Sequence, residues 1–454
     1  MTADVSLKRT DRTTATGVGV AGVVVVVVMA LATFGTSEQW GALVVACLLV
    51  GISIPILRSA AVRHGERALL ALFIAGLLLR IVGAVVRSYV DFEVYAGASD
   101  ATYYHQSGVT LADKFGRGDF DTGYSSLTGT DFIRWLTGVI YVVIGPSRLA
   151  GFIFFAGLGF WGSYFFFRAF TIAFPEGRTR AYARLIFLLP SFLFWPSSIG
   201  KDAWMMCFLG LAAFGAARFL SGKPLRGLVV AAAGLWFAAI VRPHIAGILG
   251  IALATAVVVR VPAEKRGHLA PIARGITFMM VGLLAFLLVG RTQAFLTDLG
   301  VDTSSGVTSV LEQTSERASY GGSYIAPSIA TSPRRVPMAV VTVLYRPLLI
   351  DAHNTQALAT GLETTFLLAL SFVRFRWMLG AVRHVRRRPY LALCAANTVL
   401  MIFVLSNLAN FGLLARQRIQ FLPFFLVWLC VPAPARPGQE EAWSVAAADA
   451  GATR

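Results

Sequence analysis

Long apolar runs alternate with short polar connections along almost the whole chain. The runs cover 17–35, 41–57, 68–86, 149–169, 182–198, 203–219, 226–241, 244–261, 273–290, 356–374, 389–406 and 419–433. Most approach the roughly 17–25 residues that a helix needs to cross a bilayer. The pattern predicts an all-α fold: a polytopic transmembrane helix bundle of about 12 spans. Two stretches break the rhythm, 87–148 and 291–355, and both read as long loops. Each contains an apolar piece too short or too interrupted to cross, Gly138–Gly145 and Val336–Ile350, the second broken by Pro337, Arg346 and Pro347. Both read as interfacial or re-entrant helices covering a cavity.

Charge orients this bundle. Alternate connections carry the basic residues: Arg58, Arg63 and Arg67; Arg168, Arg178, Arg180 and Arg184; Arg218, Lys223 and Arg226; Arg260, Lys265 and Arg266; and Arg374 through Arg388. Basic loops stay in the cytoplasm, so 87–148 and 291–355 become outer loops and both termini lie inside. The chain then divides into a cytoplasmic tail (1–16), a bundle (17–433) and a disordered cytoplasmic tail (434–454) rich in Ala, Pro and acids. The run at 17–35 is long for a signal-peptide core, and a second run follows almost at once, so it reads as a span.

Composition agrees. The 454 residues are 56% hydrophobic and 14% charged, with mean hydropathy +0.69 and a formal net charge of +17. That positive excess sits in the short loops, where it faces anionic lipid; the partners expected from it are membrane lipids, with no nucleic acid. Cys47, Cys207, Cys394 and Cys430 all fall in apolar runs without metal-ligand spacing and read as buried thiols.

The chemistry-bearing residues gather on the outer side. Ser99-Asp100-Ala101-Thr102-Tyr103-Tyr104-His105 puts a carboxylate against aromatics and a histidine; the plainer reading is a helix start at Asp100. Lys201 and Asp202 occupy a tight turn between two spans, where an acid also suits a helix N-terminus. Arg242-Pro243-His244 forms a second tight turn. Arg346, Asp351 and His353 lie beyond the interrupted run, with Glu363 inside the next span and Arg80 as its candidate partner. Arg416 and Arg418 stand before the last span, where they pair with phosphate oxygens or anchor the helix end.

The order of these features resembles the polytopic GT-C glycosyltransferases, in particular the group of protein O-mannosyltransferases and the lipid A aminoarabinose transferase. That group has an acidic motif followed by aromatics in its first outer loop, like Asp100 to His105. An interfacial helix ending in Gly and a span opening with Arg follow, as do Gly138–Gly145 and Arg148-Leu149. Pro190-Ser191-Phe192-Leu193-Phe194-Trp195 with Asp202, and Arg416 to Phe424, resemble its later spans. The resemblance implies a sugar donor on a polyprenyl phosphate and a glycan, lipid or protein acceptor, joined at a site facing outside the cytoplasmic membrane. Asp100 would be the catalytic base. Tyr103, Tyr104, His105, Lys201, Asp202, Arg242, His244, Arg346, His353, Arg416 and Arg418 would bind substrate. No cofactor is expected; a divalent metal between Asp100 and Asp202 stays open. Two other functions fit the same residues: an O-antigen-type polymerase or ligase built on Arg242, His244, Arg346 and His353, and a lipid-linked sugar flippase or transporter.

The charge alternation makes one prediction. Cysteines introduced at Ser125 and Ser315 should react with an impermeant thiol reagent in intact cells. Labelling that needs permeabilised cells would invert the topology.

Overall fold

The computed structural model describes residues 36–63, 67–222, 224–259, 334–352, 355–408 and 410–431, with the isolated positions 282 and 290. The expected spans at 17–35 and 273–290, most of the loop at 291–355, both tails and His353 lie outside the described residues.

Among those residues the chain is all helical, 83% helix with no strand. The helices are α1 Ser37–Arg63, α2 Arg67–Tyr89, α3 Asp100–Gly116, α4 Gly129–Ile144, α5 Arg148–Ala173, α6 Thr179–Leu188, α7 Pro190–Phe194, α8 Lys201–Leu220, α9 Pro224–Val241, α10 Pro243–Val259, α11 Val336–Tyr345, α12 Thr355–Val382, α13 Pro389–Leu405, α14 Phe411–Arg418 and α15 Leu422–Cys430. Six of the helices described are long and apolar enough to cross a membrane, or seven if the bent pair α14–α15 is one span. This is a helical membrane protein.

Several expected spans take other forms. The run at 182–198 divides into α6, α7 and a 3-10 turn, Trp195–Ser197, because Pro190 and Pro196 interrupt the backbone ladder. The runs at 244–261 and 389–406 become helices of 17 residues, and the one at 419–433 is bent by 63° against α14. The third run extends beyond 68–86. Its helix continues through a π-helical turn, Val90–Val94, closed by Tyr95 N–H donating to the Val90 carbonyl at 2.9 Å. Of the four cysteines, Cys47 is exposed rather than buried.

The centre of the bundle is α5 and α8, and their packing explains why so many glycines lie there. A Cβ on Gly162 would sit 2.2 Å from the Met206 carbonyl oxygen, and one on Gly210 would sit 2.4 Å from the Gly162 carbonyl oxygen. Two backbones in this contact exclude any side chain, the small-residue crossing common in membranes. The other face of α5 carries buried aromatics. Phe167 and Phe187 meet Phe73 edge-on at 5.0 and 5.4 Å between ring centroids, and Phe170 stacks on Tyr182 at 4.4 Å. Ring pairs supply the packing that apolar burial alone cannot supply in lipid.

Outside this core, α3 and α4 pair as a helical hairpin. Glu38 joins α1 to the start of α5: its carboxylate accepts from Leu149 N–H at 2.8 Å, and its carbonyl accepts from Ser147 Oγ at 3.0 Å. Arg80 and Glu363 do not form the pair considered from sequence. Arg80 donates to Ser163 Oγ at 2.9 Å, while Glu363 accepts from the backbone N–H and hydroxyl of Ser191 at 2.7 and 2.6 Å. Each span charge is met by the neighbouring helix that reaches its depth, not by the other charge.

The Gly162–Gly210 crossing predicts that Gly162→Val should destabilise the purified protein by about 1–3 kcal/mol, the range for forced overpacking, seen as a lower thermal midpoint in detergent. A surface control, Leu362→Ala on α12, should leave the midpoint unchanged.

Candidate functional site

The C-terminal end of α2 and the N-terminal ends of α3, α8, α12 and α14 meet at one end of the molecule. They enclose a cavity of about 430 Å³ whose wall includes Asp100, Asp202, Arg416, Arg87, Tyr95 and Gln356. Residues more than 300 positions apart in sequence therefore share one space.

Local sequence places each group. Ser99 is extended and Asp100 opens α3, so the carboxylate stands at the helix mouth with 57% of its side chain exposed. Gly200 closes the turn before α8, and Asp202 lies in the first turn of that helix, 4% exposed. Asn410 caps α14 by accepting from Gly412 and Leu413 N–H at 2.8 and 3.1 Å, which directs Arg416 two turns later into the cavity.

The charges form a chain. Arg416 Nη1 donates to Asp100 Oδ2 at 2.9 Å, and its Nε donates to Asp202 Oδ2. Arg242 Nη1 donates to Asp202 Oδ1 at 3.0 Å. Each oxygen of buried Asp202 thus has its own arginine, while Arg416 engages only one oxygen of Asp100. Arg242 lies between α9 and α10, and its burial, the main influence on it, works against the charged form while Asp202 favours that form.

Other expected residues lie apart from the cavity wall. Tyr103 is 58% exposed and faces away. Tyr104 is buried with its ring edge near Gly200, and burial pushes its phenol up to about 12. His105 Nδ1 shares a hydrogen bond of 2.7 Å with Tyr141 Oη. Burial lowers the imidazole and raises that phenol, so the pair is neutral at pH 7 and holds α3 to α4. Lys201 is absent from the cavity wall, although it feels the charges of Asp100, Asp202, Arg242 and Arg416. His244 is half-buried in the first turn of α10 and is likewise absent from the wall.

Arg346 is committed elsewhere: it pairs with Asp351 through two hydrogen bonds of 2.6 and 3.0 Å, and that carboxylate raises its affinity for a proton. Arg418 is buried and donates to the Val343 carbonyl at 2.8 Å and to the Arg346 carbonyl. Arg418 thus holds α14 to α11 through backbone carbonyls.

Sequence reasoning missed Arg87 and Asp91, which ended an apolar run and looked like its polar edge. The continued helix buries both. Arg87 Nη2 lies 3.2 Å from Asp91 Oδ1, and Asp91 Oδ2 accepts from Ser198 Oγ at 3.1 Å. The four-residue spacing was the available signal, since it puts both side chains on one helix face. Among the described residues there is no cluster of three or more His, Cys, Asp or Glu able to hold a metal ion.

The chain of charges predicts unequal costs. Asp202→Asn leaves two arginines facing a neutral amide in a buried position and should cost about 3 kcal/mol. Asp100→Asn removes a half-exposed carboxylate and should cost less than about 1 kcal/mol. Unfolding of both variants in the same detergent checks this, and equal losses would contradict the assignment of Asp202 as the structural acid.

Compared with known proteins, the chain matches no family model, no curated protein and no solved structure. The functional reading therefore rests on the residues of the cavity itself.

Proposed function

We propose that the protein is a membrane glycosyltransferase of the GT-C type, moving a sugar from a polyprenyl-phosphate donor to a glycan, lipid or protein acceptor outside the cytoplasmic membrane. The observation that carries this reading is the juxtaposition of Asp100 and Asp202 across one cavity, bridged by Arg416.

Sugar transfer to a hydroxyl needs a carboxylate that can take the acceptor's proton and cations that balance the leaving phosphate. Asp100 suits the proton-accepting role, because it is the more exposed of the two acids and only one of its oxygens is engaged by Arg416. Asp202 suits a fixed position, since both of its oxygens are held by arginine. It keeps Arg416 oriented, and Arg416 in turn keeps Asp100 at the cavity mouth. The acceptor oxygen attacks the anomeric carbon as Asp100 receives its proton. The bond from that carbon to the donor phosphate breaks, and the phosphate leaves with the electron pair. A single displacement of this kind inverts the anomeric centre.

The location also favours an enzyme over a transporter. The charged cavity lies at one end of the bundle beside the α3–α4 hairpin, where a lipid-borne phosphate and a water-borne acceptor would meet. A transporter calls for charges along a path through the middle; here the deepest charges, Arg80 and Glu363, are bonded to Ser163 and Ser191 on neighbouring helices. Of the residues on which the polymerase or ligase reading rests, Arg242 is bonded to Asp202 and Arg346 to Asp351.

Deletion of the gene should remove a sugar from a cell-envelope glycan, glycolipid or protein and raise the level of a lipid-linked sugar, both read by mass spectrometry. Wild-type protein should restore the product. Asp100→Asn, stably inserted, should reduce transfer about a hundredfold or more, the scale of general-base loss. Transfer by that variant at near the wild-type rate would remove Asp100 from the chemistry.

A further inference from the structure

The cavity contains a buried cation that the charge chain does not use. Arg87 projects from the last turn of α2 and is 7% exposed, yet it forms part of the cavity wall. Its guanidinium lies 4.7 Å from the ring centroid of Phe194 and 5.1 Å from that of Trp195, so an aromatic surface fixes its plane. Asp91 engages one terminal nitrogen, Nη2. Nε and Nη1 are buried and have no hydrogen-bond acceptor among the described residues. Buried N–H groups of a charged side chain rarely go without an acceptor, and leaving them so is costly.

We propose that Arg87 is the receptor for a phosphate oxygen on a membrane lipid, with Asp91 and Ser198 as positioning residues behind it. This rests on the functional reading above and assigns the donor phosphate to a residue outside the charge chain. Arg416 already serves two carboxylates, and Arg242, bonded to Asp202, is not on the cavity wall, whereas Arg87 is. Arg87 is held by one carboxylate and two aromatic rings, and its Nε and Nη1 are left without an acceptor among the described residues. Lys201, near Asp100 and Asp202, adds positive charge that offsets an incoming anion.

The surroundings point to a lipid phosphate rather than a free one. Tyr95 Oη donates to Gln356 Oε1, joining the end of α2 to the first turn of α12 at the cavity wall. Both helices rest on short α7. Near this seam they leave apolar side chains uncovered: Val86 and Tyr89 on α2, 46% and 62% exposed, and Leu358 and Leu362 on α12, 51% and 64% exposed. A lipid chain can lie along such side chains while its phosphate reaches Arg87. Free phosphate gains nothing from them.

The test uses the full-length protein in nanodiscs and three probes: a polyprenyl phosphate, the uncharged polyprenol of equal length, and inorganic phosphate. Wild-type protein should bind polyprenyl phosphate at least tenfold more tightly than either other probe. Arg87→Met alone strands Asp91 in a buried place, so the informative variant is Arg87→Met with Asp91→Asn, which removes both charges together. It should bind polyprenyl phosphate at least tenfold more weakly and polyprenol unchanged. Unchanged binding of polyprenyl phosphate by this folded double variant would overturn the assignment. Inorganic phosphate binding as tightly as the lipid would overturn the lipid source. The two readings fail separately. Loss of lipid phosphate binding in the double variant, beside a wild type that transfers no sugar, would reject the transferase and keep this site. Wild-type transfer rates in the double variant would do the reverse.

Discussion

Arg416 holds the candidate site together. Two carboxylates facing one cavity repel each other, and near a bilayer there is little water to absorb that repulsion. Arg416 lies between them and binds both, and Arg242 takes the remaining oxygen of Asp202. With Arg87 and Asp91 included, three acids and three arginines stand around or beside the cavity. Burying charges at the edge of a membrane is tolerable when they cancel and are hydrogen-bonded. The balance also allows one carboxylate, Asp100, to remain half exposed: the buried member of the cluster supplies the rigidity, and the exposed member is available to react.

The fold was legible where one property decided it. Helicity and membrane insertion follow from run length and apolarity, and α1, α2, α5, α8, α9 and α12 lie over expected runs, although α1 and α12 end six and eight residues past them. Breaks were less legible. Pro190 and Pro196 are visible in the chain, but whether they kink a span or divide it depends on what fills the gap, and here α7 packs against both α2 and α12. The extent of α2 was hidden because its end is polar, and a π-helical turn has no compositional mark.

For the site, the structure brings some of the expected residues together and leaves others apart. Asp100, Asp202, Arg242 and Arg416 do come together. Lys201 adjoins Asp202 in sequence, but successive positions on a helix diverge by about 100°, so one lines the cavity and the other does not. Arg418 is two positions beyond Arg416 and turns to backbone carbonyls of α11 and its following turn. Tyr103 and Tyr104 separate in the same way, one exposed and one packed by Gly200. Direction on a helix, together with the identity of a partner hundreds of residues away, is what a single chain does not display.

The span of the Asp100–Arg416 contact, 316 residues, also bears on how the molecule is made. Asp202 and Arg242 are 40 positions apart and can neutralise each other while much of the chain is still being synthesised. Asp100 has to wait for α14, the helix that carries Arg416. The α3–α4 hairpin can fold early on its own His105–Tyr141 bond, but the cavity acquires its α14 wall only after that helix has been made. A chain that stops short of Arg416 therefore leaves Asp100 without its arginine.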